Sequence, residues 1–411
     1  MFFRLASKSI IYRKGSVMLT VIALSISMLV MFGVEHIREQ AKVSFSNSVS
    51  GVDIIVGTRT GELNLLLYSV FRMGKPTNNM SWEAYTDLKN NALVKWALPI
   101  SLGDSHRGYR VFGTTPDYFE YFSYGEKQTL EFSNGNKFTR LFDVVIGSEV
   151  AKSLKYKLGD PLTLAHGIGS TSFTNHKDTP FKIVGVLKPT GTAVDQTLHI
   201  SLQGLEAIHL SAPKRKALLN KDQQPLTDFP ELQPQSVTAV MLGLKSRISA
   251  FQLQRNINTN NEEPLMALLP GVALSELWQT LSVAESTLRL ISSLVIISTL
   301  FGLSAMLLAS IRERQQEIKL LRMIGASPLF IYWLIELEAL LITLVSAFIA
   351  IVLLTVGLTA SKSFLLTQYG LSVNANILSM NTLFTVTILL VLTFLAAIPP
   401  SFMAFKEANR R

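Results

Sequence analysis

The sequence predicts an α-helical membrane domain of four spans plus a large mixed α/β external domain inserted between spans one and two. Three observations carry that reading. Four stretches are free of Asp, Glu, Lys and Arg: Gly15–Val34, Leu290–Ile311, Ala339–Ser361 and, once its single Lys is set aside, Lys362–Phe405. At about 1.5 Å per residue, a run of roughly 20 crosses the ~30 Å hydrocarbon core. Hydrophobic residues make up 48% of the 411 and charged residues 16%, against roughly 25% charged in a soluble domain. The basic residues, finally, gather beside the apolar runs. A soluble enzyme, a collagen-like fibre and a disordered chain are excluded.

The net charge of +9 suggests a nucleic-acid partner only until it is placed. Arg4, Lys8, Arg13 and Lys14 precede the first run; Arg312, Arg314, Lys319 and Arg322 follow the second; Lys406, Arg410 and Arg411 follow the last. The stretch Glu35–Arg289 holds 26 bases and 24 acids and is nearly neutral. Bases flanking spans mark cytoplasmic segments, so no nucleic-acid partner is expected.

Each element follows in order. Residues 1–35 hold a cytoplasmic N-terminus and the first span. Its apolar run is longer than a 7–15-residue signal-peptide core and leads into Glu35-His36-Ile37, which predicts an uncleaved anchor. Residues 36–286 form the external domain. With no cysteine, it depends on an ordinary core, which its length permits. Strand-like runs fall at 52–56, 94–101, 109–113, 143–146, 161–165, 181–187 and 237–244, and helical ones at 81–90, 148–157, 202–209 and 247–257. Residues 211–235, rich in Lys, Gln and Pro, read as an exposed loop. Leu63–Phe71 is an apolar run that suits a core helix or strand, a membrane-facing surface or an apolar patch. From Leu274 helical periodicity enters the second span, predicting one helix over 274–310, half outside and half in lipid. Residues 287–411 carry the last three spans, with a small external loop at 362–379 and a cytoplasmic C-terminus.

The loop between spans two and three reads Arg-Glu-Arg-Gln-Gln-Glu-Ile-Lys-Leu-Leu-Arg-Met-Ile-Gly-Ala-Ser over 312–327. Ile318, Leu321 and Ile324 share one face, with Leu320 alongside and Arg312, Glu313, Arg314, Glu317 and Arg322 among its charges. Gly325 offers a C-terminal cap and Pro328 a start for the next helix. An amphipathic helix on the inner leaflet and a docking helix for a cytoplasmic partner both fit that pattern.

This segment resembles the RERxxEIGLLRAxGAS signature of the MacB/FtsX-like permease family of ABC transporters (type VII ABC superfamily). Asp143–Leu164 resembles the family's external VxG…LGLKVGD segment, Phe181–Pro189 its FxVVGVL strand, and Glu338 stands where the family often has a Glu early in span three. Ser346-Ala347 stands for the small pair often found within that span. Ser50–Gly57 and Leu65–Gly74 look like a proteobacterial subgroup. The resemblance implies a non-catalytic permease in the bacterial inner membrane with its domain in the periplasm. It also implies an ATPase dimer bound beneath, a second permease chain and, in some relatives, a periplasmic accessory protein. No G-x-x-x-x-G-K-[ST] occurs, Gly74-Lys75 being followed by Pro76, so ATP and Mg are expected in a separate ATPase subunit. Arg312–Gly325 would dock in an ATPase groove, with Ile318, Leu321 and Ile324 as anchors.

Other candidate sites are sparse. His166, His176, His199 and His209 fall in one window; His166 and His176 flank a Gly/Ser/Thr-rich connection with Asp178 near. Imidazole and carboxylate suit zinc, and unrelated surface or partly buried histidines suit the same pattern. Glu336 and Glu338 are acids at the start of span three, where charge is functional by default; their spacing points them to different faces, and an interfacial or ATPase-facing place is expected for both. No G-x-S-x-G or H-E-x-x-H occurs. Three functions fit: a transporter permease, an FtsX-like regulator of a periplasmic hydrolase, and a component of zinc uptake.

Overall fold

Long helices run through Gly33, Gly302 and Gly357 without a break, since a single interior glycine costs only about 1 kcal/mol. α1 (Lys14–Val49) continues 15 residues past Val34, because Glu35–Val49 contains neither Gly nor Pro. The expected boundary at residue 35 therefore falls inside a helix. The computed structural model describes residues 14–166, 178–221, 224–260, 262–313, 315–369, 377 and 379–409, with backbone alone at 166, 362, 363 and 365–369. It divides into two compact units, one built on Ala41–Thr280 and one on Leu281–Ser363 with described residues up to Gln40 and from 377 onward.

The first unit is mixed α/β. It contains β1 (Ile54–Thr58), α2 (Glu62–Ser69), α3 (Trp82–Asn90), β2 (Val94–His106), β3 (Tyr109–Thr114) and α4 (Tyr118–Tyr121). β4 (Phe132–Gly135), β5 (Asp143–Ile146), α5 (Ser148–Leu154), β6 (Pro161–Leu162), β7 (Ala165–His166) and β8 (Phe181–Leu187) follow. β9 (Thr197–Ser201), α6 (Leu202–His209), α7 (Ala212–Leu219), β10 (Ala239–Leu244), α8 (Ala250–Thr259) and β11 (Leu265–Leu268) complete it. Eleven strands form one sheet in the order β11-β1-β10-β2-β3-β9-β5-β8-β4, with β7 on β2 and β6 on β8. β9 runs parallel to β3 and β8 parallel to β5, while the other pairs are antiparallel. Ser81 and Ser201 cap α3 and α6, their hydroxyls accepting from the Ala84 and Gly204 amides at 3.1 and 2.9 Å.

One open expectation is resolved here and one changes. Leu63–Phe71 lies largely in α2, with Leu65, Leu66 and Tyr68 buried in the core and Leu63 at its edge. Residues 211–235 are not one loop. They hold α7 and short turns that bury Phe229 and Leu232, apolar side chains hidden in a polar stretch.

Within this unit the ends of two long helices are fastened together. The second is α9 (Pro270–Glu313), a single helix of 44 residues that extends the expected 274–310 at both ends. Phe45 of α1 packs on Phe71 at 4.4 Å and edge-on to Trp278 of α9 at 5.8 Å. The Ser44 hydroxyl donates to the Gly191 carbonyl at 3.2 Å.

The second unit is helical: the membrane parts of α1 and α9, then α10 (Gln315–Met323), α11 (Pro328–Tyr369) and α12 (Met380–Asn409). α1, α9, α11 and α12 are each long and apolar enough to cross a membrane. α11 runs into the expected loop at 362–379, since no Gly or Pro interrupts Ser361–Tyr369. Small polar residues let these helices approach. Ser346 donates to the Ile342 and Val21 carbonyls at 2.8 and 3.3 Å, and Thr343 meets Thr393 at 3.1 Å. Where the apolar runs of α1 and α9 end, Arg38 bridges Glu35 (2.6 Å) and Glu285 (3.2 Å), and Arg289 reaches Glu35 at 3.2 Å.

Candidate coupling site and buried polar residues

The loop at 312–327 holds a nine-residue helix, α10, followed by a tight turn. Arg312 and Glu313 end α9, both exposed; Arg314 lies outside the described residues. α10 closes on a paired cap. The Ala326 amide donates to the Leu321 carbonyl (2.9 Å) and the Gly325 amide to the Arg322 carbonyl (3.0 Å), with Gly325 left-handed at φ 99°. That is the Schellman arrangement, which glycine adopts without steric cost. Arg322 adds a guanidinium bond to the Ala326 carbonyl at 2.9 Å. The Ser327 hydroxyl then accepts from the Phe330 amide (3.2 Å), and Pro328 opens α11 as expected.

The faces of α10 divide differently from the expected anchors. Ile318, Leu321 and Arg322 are half-buried. Ile318 and Arg322 share a cleft of about 340 Å³ with Glu407 and Ala408 of α12. Of the expected anchors only Ile324 is fully presented, at 83% exposure, beside Met323 at 75% and Leu320 at 53%. Leu320, Met323 and Ile324 stand at i, i+3 and i+4, one continuous apolar stripe. Their spacing was readable; which stripe the chain's own C-terminal helix covers was not. Glu317 is exposed on the same short helix.

Of the four candidate histidines, His199 and His209 have described side chains. His199, on β9, is fully buried, stacked on Tyr118 at 5.5 Å and edge-on to Phe112 at 5.5 Å. It is a core residue, because its strand is buried on both faces. His209 ends α6 with Nδ1 at 2.8 Å from the Leu205 carbonyl and Nε2 at 3.8 Å from Asp104. His166 lies on β7 opposite Asp104 in register, its side chain outside the description; His176 lies outside the described residues and Asp178 is exposed. Among the described residues no three His, Asp or Glu side chains form a metal-holding group. His106 was not singled out in the sequence. Its Nδ1 lies 2.6 Å from the Thr163 carbonyl and its Nε2 2.9 Å from the Tyr156 hydroxyl.

Burial, with Arg72 beside it, pushes the His199 imidazole down to about 3. Arg72 is itself buried, its guanidinium 3.7 Å above the Phe112 ring, and burial lowers it to about 10. His199 is therefore neutral when folded, whereas an unfolded histidine takes up a proton below about 6.5. Stability from this residue is complete above pH ~6.5 and is lost as the pH falls towards 3, by up to ~1.4 kcal/mol per pH unit. Thermal unfolding at a series of pH values should show that acid limb, shallower in His199→Phe. An equal slope in both proteins would remove His199 as its source.

The two acids of α11 are buried, Glu336 at 0% and Glu338 at 1% exposure. Glu336 does not face an open surface: Ser401 of α12 and Tyr332, one turn earlier on α11, are the polar groups that act on it.

The family model of the MacB-like periplasmic core domain matches residues 17–259, more than half of the chain, and that of the FtsX-like permease C-terminal region matches 289–408. The chain belongs to the MacB/FtsX-like ABC permease family. The lipoprotein-releasing system transmembrane protein LolE of Haemophilus influenzae is 24% identical over 200 residues, which cover 48% of this chain and 42% of LolE. The chain thus spans less than half the length of that relative. Among solved structures, the periplasmic region of MacB from Actinobacillus actinomycetemcomitans aligns with 58% of this chain and 97% of its own, at 11% identity and a TM-score of 0.33. The extracellular domain of the transporter YknZ from Gram-positive bacteria aligns with 52% of this permease and 98% of its own chain, at 14% identity and a TM-score of 0.30.

Proposed function

We propose that this permease is the non-catalytic membrane subunit of an ABC transporter in the bacterial inner membrane. It couples ATP hydrolysis in a separate ATPase dimer to movement of its own α/β unit, transporting or extracting a substrate at the outer face. In this reading the N-terminus, α10 and the C-terminus are cytoplasmic. Residues 41–280 lie in the periplasm between spans one and two, and a second copy of the permease completes the complex. ATP and Mg belong to the ATPase.

The observation that supports it most is the presented stripe Leu320-Met323-Ile324 on a short helix closed by a paired C-terminal cap. An inner-leaflet helix needs no such rigid frame, whereas a part that receives a push does. Helix-in-groove recognition uses apolar anchors at this spacing. The uninterrupted α9 supports the second half of the stroke, since a continuous helix can transmit displacement along about 66 Å at 1.5 Å per residue.

Affinity purification from native membranes in mild detergent tests the assignment. An ATP-binding cassette subunit is expected at near-equal stoichiometry, and an external companion would identify the substrate class. Absence of an ATPase, under conditions that keep other membrane complexes whole, would return α10 to a lipid-surface helix. Copurification of a wall hydrolase would favour the FtsX-like regulatory reading.

A further inference from the structure

Ionisable groups inside an apolar bundle are expensive to keep, and no positively charged group is among those that act on Glu336. It has no exposed surface; neither carboxylate oxygen has a partner at strict hydrogen-bond geometry, and the Ser401 and Tyr332 hydroxyls are the groups near enough to act on it. Ser401 is equally buried on α12, and its hydroxyl also lacks a partner at that geometry. The Glu336 carboxylate and the Ser401 hydroxyl therefore lie close to each other across α11 and α12, with the Tyr332 hydroxyl beside them.

The backbone adds a further donor of the same kind. Pro399 and Pro400 stand inside α12. Each removes the amide that would bond the carbonyl four residues earlier, freeing those of Leu395 and Ala396. Pro400 and Ser401 both belong to the buried face of α12, and Ala396 stands about one turn before Pro400 on that side of the helix. Carboxylate, hydroxyl and carbonyl oxygens form a hard donor set that selects protons and alkali or alkaline-earth ions over soft metals. One carboxylate neutralises one positive charge, and among the groups acting on Glu336 none is charged.

We propose that Glu336, Ser401 and the carbonyl freed at Ala396 form an intramembrane site for a monovalent cation, taken by a proton or by sodium. Its position gives it a role. Ser401 lies about two turns along α12 from Glu407 and Ala408, which share a cleft with Ile318 and Arg322 of α10. Occupancy sets how tightly α11 and α12 pack beside the coupling helix. This inference does not depend on an ATPase being the partner of α10.

The test is thermal unfolding of the full-length permease in detergent, for wild type and Glu336→Gln. One series varies sodium against N-methylglucamine at constant ionic strength; the other varies pH without sodium. A bound cation stabilises the folded state by mass action. If sodium is the ligand, wild type gains stability with sodium and the glutamine variant does not. If the proton is the ligand, wild type gains stability relative to the variant as pH falls, with no sodium effect. That trend opposes the acid loss from His199, which both proteins share. Should Glu336→Gln fail to fold, Ser401→Ala carries the test, with its sodium or pH midpoint expected to shift about tenfold towards weaker binding. Sodium and pH responses identical in wild type and in whichever variant folds would overturn the site.

Discussion

Met323→Asp should abolish recovery of the ATPase with the permease while leaving membrane insertion intact. Met323 is 75% exposed in the isolated chain, so the change costs the free permease little. In a groove the same carboxylate would be buried without a partner, at roughly 3–5 kcal/mol, which weakens binding more than a hundredfold. Leu320→Asp should act in the same direction. Leu321→Asp is a poorer test, because Leu321 is half-buried against its own chain and its loss would confuse docking with folding. Affinity purification of each variant, scored against wild type, reads the effect. Undiminished ATPase recovery with Met323→Asp would move the docking surface off α10.

That contrast marks what the sequence made legible. The amphipathic period, the Gly325 cap and the Pro328 start were all readable, because each is a local rule. Which side of α10 remains free depends on α12, some 90 residues later, and no local pattern carries that. The same division runs through the α/β unit. β5 and β8 match their expected ranges, being short apolar runs in a buried sheet, and α6 is bounded by its Ser201 cap. Which of the two readings fits His199 was not legible for a long-range reason. Its surroundings come from Phe112 and Tyr118, neither adjacent in sequence, and a histidine looks alike in sequence whether it is buried in a core or bound to metal. The continuations of α1 to Val49 and α11 to Tyr369 were missed for a local one. Charged and polar residues mark where a span leaves the lipid, not where its helix ends.

The second large effect concerns α9. Ser286→Pro places proline at an exposed position in the middle of an unbroken helix, removing one backbone bond and crowding the preceding turn at about 3 kcal/mol or more. Neither apolar run is touched, and α10 is 29 residues away. The variant should therefore insert and bind ATPase like wild type, yet lose the response of residues 41–280 to ATP. Hydrogen exchange in those residues, with and without ATP, separates the two outcomes. Retention of a full ATP response would show that force does not travel along α9.

The most direct measurement of the whole account is that exchange experiment on the wild-type complex. ATP added to the purified permease–ATPase assembly should change amide protection in the α/β unit, above all around Phe45, Phe71 and Trp278, where α1 and α9 are fastened together. Active hydrolysis with protection in residues 41–280 unchanged would contradict the claim that this permease couples ATP to movement outside the membrane.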